Sequence, residues 1–350
     1  MKKTTIQDIA KAAGVSKATV SRAIHSPQLV KRNTLNRIQL IMESRDYVYD
    51  AVAGDLARKK SSIIGLIIPT IKNSIFSSTV YGIQQKAEEY GYTTLIGNSN
   101  YDNETEIRLM KLFQQRRVAG LIVTGLSAGS LKRIESLVQQ EVPSVVTWEL
   151  PDTDTVSFAG FDNFKAAYSM TDYLIRLKHL RIGLIIGPYT KIDRARKRFE
   201  GYLAALKNHG IVYDPDLIVE CNYTMIDGKE GMHRLLSLTE SPTAVFAVSD
   251  VLAMGALSAI KEKGLNVPKD ISLAGFDDIE FAAFLDPPLT TVKIPAYEMG
   301  QLAVKALFDL INSGSKSIKQ YRLNTDLIIR ESCGEPEGNK GKSIQRTANI

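Results

Sequence analysis

Residues 4–24 read Thr4-Thr-Ile-Gln-Asp-Ile-Ala-Lys-Ala-Ala-Gly-Val-Ser-Lys-Ala-Thr-Val-Ser-Arg-Ala-Ile24. Thr5 and Asp8 are spaced as a capping box, with Asp in place of Glu or Gln, so a helix is expected to start there. Ile6, Ile9, Ala10 and Ala13 recur at helical spacing and form one apolar face. Gly14 stands where a left-handed residue stops a helix, and Ser16 can cap a second helix from Lys17 to about Ile24. Packing Val15, Val20, Ala23 and Ile24 against the first helix leaves Lys17, Ala18, Ser21 and Arg22 outward. A third helix is expected from Lys31 to Ser44, with Leu35, Ile38, Ile41 and Met42 inward. Two short helices joined by a tight turn form the helix-turn-helix, which lays its second helix in the DNA major groove. A plain three-helix bundle with solvated charges is the alternative, but it does not require cap, turn and polar face to fall in one register.

Charge is distributed as a DNA reader requires. Residues 1–60 hold 12 basic and five acidic residues, a net +7, whereas residues 61–350 hold 32 basic and 33 acidic. Excess positive charge beside the reading helix provides sequence-independent, salt-dependent phosphate affinity. A chain of 350 residues suggests two or three domains. No apolar run reaches the roughly 18–20 residues that span a bilayer, and the basic N-terminus lacks the apolar core of a secretion signal. Cys221 and Cys333 lie far apart and form no Cys-x-x-Cys pair. Reduced, metal-free thiols in the cytoplasm are the expectation.

From residue 62 the texture changes. Apolar, β-rich runs are expected as strands at Ile63–Pro69, Tyr92–Gly97, Val118–Thr124, Ser144–Thr147, Val156–Gly160, Arg181–Gly187, Leu217–Cys221, Ala244–Val248 and Ile271–Gly275. Helical stretches alternate with them near 75–90, 103–116, 130–140, 164–178, 195–208, 229–238, 251–263 and 296–312. Continuous apolar strands separated by helices indicate parallel sheets covered on both faces. So many strands suit two α/β subdomains better than one sheet, with a boundary near Gly160–Asn163. Residues 335–350 are polar and rich in Gly and Lys, and are expected to be a disordered tail.

Several motif-like strings test other functions. Gly125-Leu-Ser-Ala-Gly129 fits the nucleophile elbow of a serine hydrolase, and His179, His209 and His233 follow it. None of these histidines sits in a catalytic string, and a Gly/Ser loop with Ser130 as helix cap explains the motif more simply. Gly341-Lys342-Ser343 lacks the preceding strand and the earlier glycine of a phosphate-binding loop. The four histidines lack metal-ligand spacing, and no dinucleotide fingerprint occurs. No catalytic residues, cofactor or metal are expected.

A different set of residues gathers at strand carboxyl ends, where ligands of such sheets bind. These are Asn73–Phe76, Trp148, the run Arg194, Arg196 and Arg198, then Ser249-Asp250 and Phe276-Asp277-Asp278. Stacking plus bidentate hydrogen bonding suits a sugar-like or heterocyclic ligand. Taken singly, each has a structural explanation: Trp148 as packing, Asp250 as a cap, the Arg run as a solvated face. Their common placement favours a cleft.

Across residues 4 to about 334 the chain resembles the LacI/GalR family of transcription regulators. The resemblance is carried by Ile6–Arg22, Ala53-Gly-Asp-Leu56, Arg198-Phe-Glu-Gly-Tyr202, Ala247–Ala256, Gly275-Phe-Asp-Asp278, Pro287-Pro-Leu-Thr-Thr291 and Ile328-Ile-Arg-Glu-Ser332. It implies an all-α helix-turn-helix head (1–47), a hinge (48–61) and a core of two doubly wound α/β subdomains like type I periplasmic binding proteins. The first subdomain would comprise 62–161 with about 295–321, the second 162–292 with about 324–334. The chain would cross between them near 161–163, 290–294 and 322–325.

By position, the resemblance makes Lys17, Ala18 and Arg22 base readers. Thr5, Ser16, Thr19 and Ser21 suit phosphates or adjacent bases. Ala53 would contact DNA, and Leu56 matches the leucine that wedges into the minor groove. Asn73, Phe76, Trp148, Arg198, Tyr223, Asp250 and Asp277 match positions that contact the effector. Tyr49-Asp50 departs from the family's Pro-Asn, and Ser74-Ile75 replaces its Pro-Phe. The implied molecule is a homodimer on a pseudo-palindromic double-stranded operator, without a membrane partner, whose repression is set by a small metabolite. No leucine-heptad tetramerisation segment occurs at 335–350. Two rivals stand beside it. A periplasmic sugar-binding protein shares the core but not the basic head, and a serine hydrolase would be built on Gly125–Gly129.

Overall fold

The computed structural model describes residues 4–49, 61–313 and 318–336. The chain divides into two compact units, Met1–Ser61 and Ser62–Ile350. Ala53, Leu56 and Asp50 lie outside the described residues, as do residues 337–350.

The first unit contains α1 (Ile6–Ala12), α2 (Lys17–His25) and α3 (Arg32–Ser44). The capping box forms in full: Asp8 N–H donates to Thr5 Oγ1 at 3.3 Å, and Thr5 N–H to Asp8 Oδ2 at 2.9 Å. At the other end of α1, Gly14 sits at φ 60°. There Gly14 N–H donates to Lys11 O at 3.2 Å and Val15 N–H to Ala10 O at 3.0 Å, the paired bonds of a Schellman stop. Ser16 Oγ caps α2 by accepting from Thr19 N–H at 3.1 Å. Ile9, Val20 and Ile38, one from each helix, have no exposed surface, and Val15, Leu35, Ile41 and Met42 pack around them. A short 3-10 turn at Pro27–Leu29, not expected from sequence, leads into α3, which starts one residue later than expected.

In the second unit, strands and helices alternate as β1 (Ile63–Ile68), α4 (Ser74–Glu89), β2 (Thr93–Asn98), α5 (Asn103–Gln115), β3 (Leu121–Thr124), α6 (Ser130–Gln139), β4 (Ser144–Thr147) and β5 (Ser157–Phe161). Then follow α7 (Asn163–Arg176), β6 (Ile182–Ile186), α8 (Asp193–Asn208), β7 (Ile218–Glu220), α9 (Met225–Leu236), β8 (Ala244–Ala247), α10 (Asp250–Glu262) and β9 (Ser272–Ala274). The chain ends in β10 (Thr291–Lys293), α11 (Ala296–Ser313), β11 (Gln320–Leu323) and β12 (Asp326–Ile328). One parallel sheet has the order β11-β5-β4-β3-β1-β2 and the other β7-β6-β8-β9. After β10 the chain returns to the first sheet, where α11 packs on α4 and β11 pairs with β5. It then turns back, and β12 pairs antiparallel with β10.

Buried apolar strands such as β1, β3 and β6 lie between helical layers, which is why they read as continuous apolar runs. The strands at 291–293, 320–323 and 326–328 were not expected as strands. They are three or four residues long, and β11 alternates exposed with half-buried positions at a sheet edge, so it carries no apolar run. The C-terminal segment is held further than expected. His179 bonds Thr243 Oγ1 at 2.9 Å and Gly334 O at 2.8 Å, and Lys178 pairs with Glu335 at 2.9 Å. Cys221 and Cys333 are free, and burial pushes both thiols up to about 12. Among the described residues no helix is long and apolar enough to cross a membrane.

Candidate DNA-reading head and ligand cleft

The reading helix is α2. Lys17, Ala18 and Arg22 are exposed on it, Ser21 and Thr19 half-exposed, while Val20 and Ala23 face the core. Thr5, Ser16 and Thr19 spend their hydroxyls at helix starts: Thr5 Oγ1 donates to Asp8 Oδ2 at 2.7 Å, and Ser16 and Thr19 hydroxyls lie 2.9 Å apart. These bonds fix the two helix N-termini and so the aim of α2. Tyr49 packs edge-on against His25 at the end of α2, ring centroids 4.8 Å apart. A proline there would lack that ring.

In the second unit, one cavity collects residues from the carboxyl ends of both sheets. From the first come Asn73, Ile75, Phe76, Tyr101 and Trp148; from the second Arg194, Arg198, Tyr223, Ser249 and Asp277. The space left between them is about 10 Å³, room for roughly one water molecule. The two halves are drawn together. Ser127 and Ile192 form a β-bridge, and Ala128 N–H donates to Lys191 O at 3.0 Å. Tyr101 stacks on Tyr223 with centroids 5.4 Å apart.

The side chains are placed by their own elements. Asn73 caps α4 through Ile75 N–H at 3.2 Å, which sets Phe76 in the first turn, 4.9 Å from the Trp148 ring. Trp148 Nε1–H donates to Thr79 Oγ1 at 3.1 Å and its carbonyl accepts from Asn163 at 2.8 Å, so its ring offers stacking surface alone. Arg198 is locked: Nε–H donates to Asn163 Oδ1 at 2.9 Å, Nη1 to Val248 O at 2.8 Å, and the guanidinium lies 3.7 Å over the Phe276 ring. Arg194, one helical turn earlier on α8, lies 5.5 Å over Tyr101 and 3.9 Å from Glu149. Burial pushes the Asp277 carboxyl up to about 7 against the opposing pull of Arg198 and of a Ser249 hydrogen bond. Burial likewise raises Glu149 to about 7 despite Arg194.

The backbone is strained at the same place. Tyr101, Trp148 and Asp277 have φ of 60°, 74° and 117°, a region that non-glycine residues rarely occupy. Such strain concentrates where surrounding structure enforces a functional geometry.

Six of the seven expected ligand residues therefore line one cavity. Asp250 does not. It is fully buried beneath, where Oδ1 accepts from Thr291 Oγ1 at 2.6 Å and Oδ2 from Ile279 N–H at 2.9 Å. It anchors the loop that carries Asp277, and its neighbour Ser249 takes the cavity position. Sequence reasoning missed Tyr101 as a lining residue, and it placed Arg194 in the cleft run without naming it a ligand contact. Arg194 stands four residues before Arg198 and so shares its helix face, and Tyr101 follows β2 as the other lining residues follow their strands. Arg196 points away and pairs with Asp193 and Glu200.

The Gly125–Gly129 loop assembles no hydrolase. Ser127 Oγ donates to Glu106 Oε2 at 3.2 Å, and Ser130, expected as a cap, is instead the first helical residue and also bonds Glu106. His179 is committed to Thr243, Ser272 and Gly334. Among the described residues no cluster of three His, Cys, Asp or Glu could hold a metal.

Residues 5–50 match the bacterial regulatory proteins of the lacI family, and residues 61–331 match the periplasmic binding proteins and sugar-binding domain of the LacI family. The chain is 36% identical over 329 residues to the HTH-type transcriptional repressor CytR of Escherichia coli (strain K12), covering 94% of this chain and 96% of that protein. It superposes on the lac repressor dimer bound to operator and the anti-inducer ONPF with a TM-score of 0.83 at 28% identity, covering 95% of this chain and 100% of that one. A LacI-family regulator from Enterococcus faecium with bound ribose matches with a TM-score of 0.69 at 28% identity, over 78% of this chain and 99% of that one.

Proposed function

The chain belongs to the LacI family of bacterial regulatory proteins, and on that premise we propose that it is a repressor whose operator affinity is set by a small hydroxylated metabolite, a sugar or sugar derivative. It acts as a homodimer on a pseudo-palindromic site, in the cytoplasm where its DNA lies, and its activity is regulatory rather than catalytic. Arg22 grips a guanine edge bidentately and Ala18 meets a thymine methyl, with Lys17 beside them. Thr5, Ser16, Thr19 and Ser21 lie towards the phosphates.

The observation that carries the ligand half is the convergence of Phe76 and Trp148 from one sheet with Arg198, Tyr223 and Asp277 from the other. Asp277 and Arg198 are the acceptor and donor for hydroxyls, Asn73 a further polar contact, and the rings cover apolar C–H faces. The two lobes are residues 62–161 with 295–321 and residues 162–292 with 324–334. A ligand between them favours one lobe angle, and residues 48–61 carry that preference to the head. Its effect is limited to its difference in affinity for the two angles.

A thermal-shift screen of pentoses, hexoses, their acids and phosphates, and nucleosides finds the ligand class, since occupancy at a hundred times Kd adds about 2.7 kcal/mol. Fluorescence anisotropy with an operator duplex then reads the response. Asp277→Ala keeps operator binding and loses the response; an unaltered response refutes the cleft assignment.

A further inference from the structure

The geometry points to an anionic ligand: we propose that the cleft takes a polyol bearing one oxyanion, a carboxylate or a phosphate, and that Arg194 receives that group. This rests on the cleft being the effector site and goes beyond it by naming the ligand's charge and the residue that reads it.

The cleft has a surplus of buried donors. Arg194 and Arg198 are 4% and 2% exposed. Nη2 of Arg194, Nη2 of Arg198 and the Tyr223 hydroxyl are all buried without a hydrogen-bond partner. An unsatisfied buried donor is costly, and more so when charged. Arg198 has two of its nitrogens held by Asn163 and Val248, so its free nitrogen has a fixed direction. Three orphan donors in one cavity call for an acceptor-rich group.

Charge points the same way. Two guanidinium groups stay ionised at any physiological pH. The carboxyls that face them are Asp277, Glu149 and Glu106; burial holds the first two near 7 and raises the third. Burial thus favours the neutral acid in each of them and weakens the negative charge that would offset the two guanidinium groups. Glu149 Oε1 also accepts from Leu126 N–H at 2.8 Å and stands 3.9 Å from Arg194, too far for a hydrogen bond. A neutral sugar can satisfy orphan donors but leaves the positive charge in place. An oxyanion does both, and bidentate guanidinium–oxyanion pairs are the strong ones.

The fold reserves room for this arginine. Gly125 sits at φ 72°, and a Cβ there would lie 2.0 Å from Arg194 Nη1. Phe76 and Tyr101 flank the guanidinium at 5.8 Å and 5.5 Å, and Tyr101 also hydrogen-bonds it, so it has an aromatic seat and only its Nη2 is left unpaired.

The test is calorimetric titration of the full-length protein with six-carbon aldonate, uronate and sugar 6-phosphate, against the neutral aldose and alditol, at constant ionic strength. At least one anionic member binds ten times or more tighter than its neutral parent, and the aldonate and phosphate arms tell carboxylate from phosphate. Arg194→Gln weakens that anion about ten- to hundredfold, the worth of one charge-assisted contact, and leaves the neutral parent unchanged. Glu149→Gln, which removes the competing carboxylate, tightens the anion; this second sign keeps the test decisive if Arg194→Gln folds poorly. Equal binding of neutral and anionic members, or no binding by any anionic member, overturns the proposal. Neutral and anionic members that bind equally and are both lost in Asp277→Ala overturn the charge assignment alone, while anion binding indifferent to Asp277→Ala overturns the cleft reading as well.

Discussion

Glu149→Gln is expected to stabilise the core at alkaline pH, although it deletes one partner of a buried ion pair. The carboxyl is 7% exposed and lies 3.9 Å from Arg194. Glutamine keeps the volume and the oxygen that accepts Leu126 N–H at 2.8 Å. Burial moves the carboxyl from 4.5 to about 7, so desolvation outweighs the attraction of Arg194. A folded-state value above the unfolded one means the fold prefers the neutral acid. Its penalty is absent below pH 4.5, grows as pH rises towards 7, and is complete above that. At about 1.4 kcal/mol per tenfold change in proton affinity, the full penalty is about 3 kcal/mol.

The variant should therefore gain about 3 kcal/mol at pH 8 and about 2 kcal/mol at pH 6, where the wild-type carboxyl is mostly protonated. For a core of this size that is a rise of about 5 °C in melting temperature at pH 8. Differential scanning calorimetry of both proteins at the two pH values reads it. A variant that melts lower at pH 8, by an amount that does not change at pH 6, refutes the reasoning; it would mean that Glu149 is ionised and held by Arg194 in the fold.

Arg22→Ala should cost about 1–3 kcal/mol per half-site in specific operator affinity, leaving salt-sensitive non-specific binding; anisotropy with operator and scrambled duplexes across a salt series checks this. Thr5→Ala removes the cap of α1 and should destabilise the isolated head by about 1 kcal/mol, read by denaturant melts followed by circular dichroism. Gly125→Ala adds the strain of a side chain at φ 72° and a clash with Arg194 Nη1 at 2.0 Å. It should cost about 1–2 kcal/mol of core stability and weaken ligand binding in the same titrations as Arg194→Gln.

The parts legible in the sequence are those that local chemistry writes down. The head was legible because a cap, a left-handed stop and a second cap recur within twelve residues, each with its own hydrogen bond. Strands such as Ile63–Ile68 and Ile182–Ile186 were legible because a strand covered on both faces leaves few polar positions. The edge strand Gln320–Leu323 was not, because its stability comes from pairing with β5 rather than from burial.

The cleft was legible in position and less so in detail, and Ser249 and Asp250 show why. Both follow β8, and both are fully buried. Asp250, the more conspicuous letter, is consumed by Thr291 and Ile279 in holding the next loop, while the less conspicuous serine reaches Asp277. A strand's carboxyl end tells which residues arrive at a site, but a one-residue rotation decides which of them faces it. The same holds on α8, where Arg194 and Arg198 face inward and Arg196, between them, faces outward. Helical spacing resolves that case, since four residues return to the same face. It does not resolve Trp148 or Asp277, whose positive φ values oppose their local preferences. Residues held against preference are imposed by packing across the whole cleft, and a sequence read locally has no term for that.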